Sequence, residues 1–138
     1  YLTLISGMLS PQTIRSSLVR DRGDGRRGST KLPDVGKDAT THINVEEKLK
    51  GFTLLSCRLE TGRTHQIRIH LSEAGHPVCG DKVYNRKLDG AVIPDASGAP
   101  RLGLHATELG FKHPMTEEDM HWTMPLPADL QKLIEKLR

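Results

Sequence analysis

Cysteine is scarce in this chain. Cys57 and Cys79 are the only two, which excludes the dense disulfide framework of a small secreted scaffold and any C-x-x-C metal or redox pair. Cys57 lies in an apolar run and Cys79 just after His76-Pro77, so both read as reduced small hydrophobes of a cytoplasmic protein. Aromatic residues make up 4% of the chain, too few for the broad stacking platform of a single-strand nucleic-acid binder. No apolar run approaches the roughly 20 residues of a bilayer-crossing helix, which argues against a membrane partner. A G-x-S-x-G elbow and a P-loop are also missing. The segment GDGRRGST (Gly23 to Thr30) lacks the Lys-Ser/Thr ending that a phosphate-cradling loop needs. Histidine, by contrast, occurs seven times. Yet the spacing of His65, His70 and His76 fits no metal-ligand pattern and there is no H-E-x-x-H, so no metal is expected.

What is present fits one domain over residues 1–138: 15.3 kDa, 36% apolar and 27% charged residues can bury a real core. The chain opens directly on a strand-like segment, YLTLIS (Tyr1 to Ser6), without the basic and apolar regions of a signal peptide. That start looks cut. The formal net charge of +3 is unevenly spread: residues 1–31 hold six Lys/Arg against two Asp, and the remainder holds fourteen against fifteen acids. The basic, Gly-rich run RDRGDGRRGSTK (Arg20 to Lys31) suits phosphate contact through arginine forks, or equally a solvated loop.

Local patterns order the elements. Tyr1 to Ser6 and Thr13 to Arg20 read as strands. The β-branched stretch from Ala39 to Lys48 and the run after Phe52 read as a hairpin turning at Leu49 to Gly51. In ETGRTHQIRIHLSEAGHPVCGD (Glu60 to Asp81), alternation suggests a strand but the termini favour a helix: Thr64 as N-cap, Gly75 as the positive-φ residue after the end, then Pro77. Ile67, Leu71 and Ala74 would anchor it. Residues 82–100 read as a peripheral loop and 101–114 as one or two strands. Leu130, Leu133, Ile134 and Leu137 mark a C-terminal amphipathic helix behind Pro127. This order predicts an α+β fold, a mixed and mainly antiparallel sheet with packed helices.

Arg63 and Arg68 flank the expected helix start, where backbone N–H groups and the helix dipole also favour an anion. A guanidinium forks onto a carboxylate or a phosphate. No carboxylate in the same motif obviously answers these two, and Asp81, with His76-Pro77 and Gly80, reads as turn scaffold.

The segment LETGRTHQIRIHLSEAGHPVCGDKVY (Leu59 to Tyr84) closely resembles the TGRTHQIR…HL…GHP…GD…Y signature of the RluA-type pseudouridine synthases. YLTLISG (Tyr1 to Gly7) is similar to the family's K-x-Y-x-A-x-V-x-G strand from its tyrosine onward, and GKDATT (Gly36 to Thr41) to G-K-x-A-x-T. RLGLHATELGFKHP (Arg101 to Pro114) and PLPADL (Pro125 to Leu130) resemble later family segments. Departures are slight: Thr3 and Gly103 stand where alanine is usual, and Asn85 where glycine is usual. The family's catalytic aspartate belongs to an H-R-L-D-x-x-T-S-G motif upstream of the tyrosine, and this motif is absent. RKLDG (Arg86 to Gly90) imitates it without T-S-G, so Asp89 is set aside as a decoy.

The resemblance implies the C-terminal part of a pseudouridine synthase fold, isomerising uridine in ribosomal or transfer RNA without a cofactor and inactive without the upstream half. It implies catalytic roles for Arg68, as the guanidinium that pairs with the aspartate, and for Tyr1, as the ring stacking on a flipped uracil. Leu104 would close the base pocket. Arg63, Thr64 and His65 would contact the RNA backbone or hold the turn. A non-catalytic RNA-binding relative would carry the same signatures.

Overall fold

A computed structural model of the chain describes residues 1–87, 90–112 and 115–138; Asp89 lies outside them. Six strands form one sheet in the order β3-β2-β4-β5-β1-β6: β1 Leu2–Ser6, β2 Gln12–Val19, β3 Gly28–Thr30, β4 Lys37–Lys48, β5 Phe52–Leu59 and β6 Leu104–His105. A separate hairpin pairs β7 (Glu108–Lys112) with β8 (Asp119–Thr123). The α+β class holds, but every strand pairing among the described residues is antiparallel rather than mixed. β3 and β8 had no recognisable signal, the first being three residues inside the basic Gly-rich run and the second lying in a polar stretch.

Alternation assigns the two faces of the sheet. On one face Ile43, Leu55 and Cys57 are buried with Ile5, and they receive Ile67 and Leu71 of α1 (Gln66–Glu73). Ile14, Val45, Leu59 and Leu104 extend this cluster. On the other face Leu4 packs against Leu133 of α2 (Ala128–Leu137), with Phe52 and Leu137 alongside. Each fully buried Leu or Ile contributes roughly 1.5–3 kcal/mol, so both helices are held by apolar burial rather than by propensity. The β4–β5 hairpin turns where expected, with Gly51 at φ 74° and Leu49 N–H donating to the Phe52 carbonyl at 2.9 Å.

α1 corrects two expectations. Thr64 is not its N-cap: the residue before the helix is His65, in the left-handed conformation at φ 55° without a side-chain cap. Gln66, the first helical residue, instead holds the turn before the helix, its Oε1 accepting the Arg63 N–H at 3.1 Å and the Thr61 hydroxyl at 2.7 Å. Ala74 is exposed and anchors nothing, because Ile69, His70 and Ser72 bury a second side of the helix. The C-terminus is as expected: Gly75 at φ 87° lets its N–H reach the Ser72 carbonyl while His76 N–H reaches that of Leu71, which satisfies the last helical carbonyls.

Most described residues between 82 and 100 are exposed, as expected of a peripheral loop, but the segment is tied to the core at two points. Tyr84 and Ser97 are buried, and Asp95 accepts the Gly80 N–H at 2.7 Å. Gly80 itself, at φ 81°, lies so close to the Arg101 carbonyl that no side chain fits there.

Candidate active site

Arg68 projects from the first turn of α1 onto Asp81. Its Nε donates to Oδ2 at 2.8 Å and its Nη2 to Oδ1 at 2.9 Å, a planar fork. The expectation that no carboxylate in the motif answers the arginines is therefore wrong. Thirteen residues separate the pair, and only the reversal through Gly75, Pro77 and Gly80 brings Asp81 back beside the helix. Asp81 also accepts the N–H groups of Val83 and Tyr84 at 2.9 and 3.0 Å, so its scaffold reading is right but incomplete. Burial alone would raise this carboxyl; the bonds from Arg68, Tyr84 and Val83 outweigh it and hold Asp81 below its ordinary value. Bonding to Asp81 correspondingly raises Arg68, against the opposing effect of burial.

Tyr84 completes the cluster. The Arg68 guanidinium lies 5.0 Å from the centre of its ring, within cation–π range. The Tyr84 hydroxyl is 2.8 Å from His65 Nδ1, and the two rings meet edge to face at 5.4 Å. Burial, then the charges of Arg68 and Arg27, push the His65 pKa down, so its ring is neutral at pH 7. With Nε and Nη2 committed, Nη1 of Arg68 bonds to nothing among the described residues. A restrained guanidinium with one donor edge in hand can hold a second carboxylate or a phosphate.

His70 is buried behind this cluster. Its Nε2 lies 2.8 Å from Ser16 Oγ and its Nδ1 2.8 Å from Thr41 Oγ1. Thr41 Oγ1 also accepts the Gln66 amide N–H at 3.0 Å, and in either tautomer one ring nitrogen of His70 donates to a hydroxyl while the other accepts from one. Burial lowers the His70 pKa. The ring thus ties α1 to β2 and β4 as a neutral, fully bonded group.

The remaining anticipated residues fall into two places. Tyr1 sits opposite Cys57, to which its backbone bonds at 3.1 and 2.9 Å, and Leu104 sits opposite Thr3. That register puts both on the sheet face that α1 covers, but neither bonds to Arg68. Tyr1 is 41% exposed and Leu104 is half-buried. Arg63 and Thr64 are exposed and line a neighbouring cleft, where Arg63 Nε donates to the Asp38 carbonyl at 2.8 Å. His65 alone of that trio joins the Arg68 cluster. Tyr84 closes the matched signature but was given no role from the sequence, although an aspartate three residues before a tyrosine is a usable signal for a side chain accepting that residue's N–H.

Burial raises the thiols of Cys57 and Cys79 to about 11 and about 12, so neither is a nucleophile at neutral pH. Among the described residues no group of His, Cys, Asp or Glu side chains is arranged to hold a metal ion, and no helix is long and apolar enough to cross a membrane.

Proteins similar to this chain in sequence and fold are RNA pseudouridine synthases. The sequence profile described as RNA pseudouridylate synthase matches residues 1–73. An uncharacterized RNA pseudouridine synthase YlyB of Bacillus subtilis is 42% identical over 140 residues, covering 100% of this chain and 43% of that protein. Ribosomal large subunit pseudouridine synthase D of Nitrosomonas europaea is 40% identical over 144 residues, covering 100% and 40%. The solved structure of human RNA pseudouridylate synthase domain containing 1 superposes with a TM-score of 0.73 at 28% identity, over 96% of this chain and 56% of that one. A second human structure, domain containing 4, has a TM-score of 0.76 at 20% identity over 99% and 60%, a likeness of fold. The chain belongs to the RluA-type RNA pseudouridylate synthase family. It spans less than half the length of the curated relatives it matches.

Proposed function

We propose that the whole protein isomerises specific uridines to pseudouridine in ribosomal or transfer RNA, in the cytoplasm, and that residues 1–138 are the C-terminal portion of its catalytic domain. The observation that carries this reading is the Arg68–Asp81 fork with Nη1 left uncommitted. In this scheme Nη1 pairs with a catalytic aspartate contributed from outside the chain, keeps it ionised and aims it at the sugar.

The reaction breaks the N1–C1′ bond, turns the uracil and joins C5 to C1′; the C5 proton is lost and N1 gains one, so no cofactor or redox partner is consumed. The target base must leave the stack. Tyr1 offers a ring to the flipped uracil and a hydroxyl for the C5 proton, Leu104 closes the pocket, and Arg63, Thr64 and His65 meet the RNA backbone or hold the turn.

Tritium release from RNA labelled at uridine C5 tests the proposal. The whole protein is expected to release tritium, and the 138-residue chain alone is not. Failure of the whole protein on both ribosomal and transfer RNA overturns the function; turnover by the short chain overturns the need for an outside aspartate.

A further inference from the structure

Arg20, Arg27, Lys37 and Arg63 line one open cleft of about 480 Å³, together with Gly36, Gly62 and Thr64. They come from four points of the sequence: the end of β2, the loop before β3, the first residue of β4 and the turn before α1. We propose that this cleft is the track of the RNA strand flanking the target uridine, with its four cations on successive backbone phosphates. The inference rests on the function proposed above and deepens it.

Three observations carry it. Among the described residues none of the four cations has a carboxylate partner, whereas Arg22, Arg68, Arg101 and Arg138 each have one. Unpaired like charges gathered in a concavity repel one another until an anion arrives, which makes the cleft a field-focusing surface. Arg63 is already fixed by its Nε bond to the Asp38 carbonyl, leaving its Nη groups for a phosphate fork. Two glycines keep part of the wall low between the apolar side chains of Leu18, Val19 and Ile69: a Cβ on Gly36 would meet the Leu18 carbonyl oxygen at 2.8 Å, and Gly62 adds no side chain.

The cleft borders the Arg68 cluster. Thr64 lines it, and the next residue, His65, bonds to Tyr84. Arg27 is near enough to act on the charge states of both His65 and Tyr84. A strand lying on the four cations therefore delivers its neighbouring nucleotide toward the guanidinium. Tyrosine, tryptophan and phenylalanine, which anchor protein partners, do not line the cleft.

The test is the salt dependence of binding by the whole protein to a fluorescent RNA hairpin with a uridine-containing loop. Removing three cations together (R20A, R27A and K37A) is expected to make the log–log salt slope shallower by about 2, at about 0.7 per single-strand phosphate contact. A second variant, R63A, is expected to change it by about 0.7. Thermal melting confirms that each variant is folded. An unchanged slope in both folded variants overturns the track, and so does polyglutamate competing as well as unlabelled RNA, which points to an acidic protein partner. Absence of isomerisation by the unaltered protein is a separate failure, of the function rather than of the cleft.

Discussion

The Asp81 carboxylate faces Arg68 with both oxygens, at 2.8 and 2.9 Å, and its side chain is 0% exposed whereas that of Arg68 is 15% exposed. Such an acid is occupied. Oδ1 accepts three donors and Oδ2 one, so Asp81, bonded four times and sealed from solvent, serves to set the direction of the arginine.

Removing one charge of this pair leaves the other partly buried without compensation. Asp81→Asn is expected to cost about 3–5 kcal/mol in urea denaturation at pH 7. Arg68→Lys, which keeps the charge but not the fork, is expected to cost less stability yet remove isomerisation by the whole protein, because an ammonium cannot hold two carboxylates along two edges. Full tritium release by a folded Arg68→Lys protein would count against the fork.

Stability should fall on acidification through the histidine range. His70 and His65 both have folded pKa values below the ordinary 6.5. Their contribution is thus complete above about 6.5, where folded and unfolded forms are both neutral, and is lost as pH falls from there through the lower folded values. His70→Leu is expected to flatten that dependence while costing about 1–3 kcal/mol at pH 7, since the Ser16 and Thr41 hydroxyls lose their partner. Melting curves from pH 7.5 to 5 provide the check.

Tyr84 separates two contributions. Tyr84→Phe keeps the ring against Arg68 and loses the hydroxyl contact with His65, an expected cost of about 1 kcal/mol. Tyr84→Leu also removes the cation–π face and leaves a void, so about 2 kcal/mol or more beyond the Phe variant is expected. Equal losses for the two substitutions in denaturant melts would show that the ring face contributes nothing.

One substitution should stabilise. Thr3 is 1% exposed, and its Oγ1 has no hydrogen-bond partner among the described residues. Thr3→Val replaces the desolvated hydroxyl by a methyl of similar size, with an expected gain of about 1 kcal/mol. An unchanged or lower melting temperature would mean that the hydroxyl is satisfied.

Much of the frame was legible in local pattern. The strands from Tyr1, Thr13, Ala39 and Phe52, and the helix ending at Gly75, follow from alternation and from a residue able to take positive φ. The signature around Arg68 also announced the family. The start of α1 was misread because Thr64 is a residue type suited to an N-cap, whereas the chain enters the helix through His65 in the left-handed conformation. The loop after Asp81 was read as peripheral from its Gly and Pro signals, although one tyrosine in it contacts both Arg68 and His65.

By itself the sequence determined which residues face inward and which arginines stand at a helix start, since side-chain period and chain-reversing residues act over a few positions. Only the tertiary structure decided which acid answers Arg68 and which cations share a cleft. Those pairings depend on where the chain returns after Gly80 and where four separate segments converge. An ion pair takes its meaning from distance and burial, and neither is written in spacing along the chain.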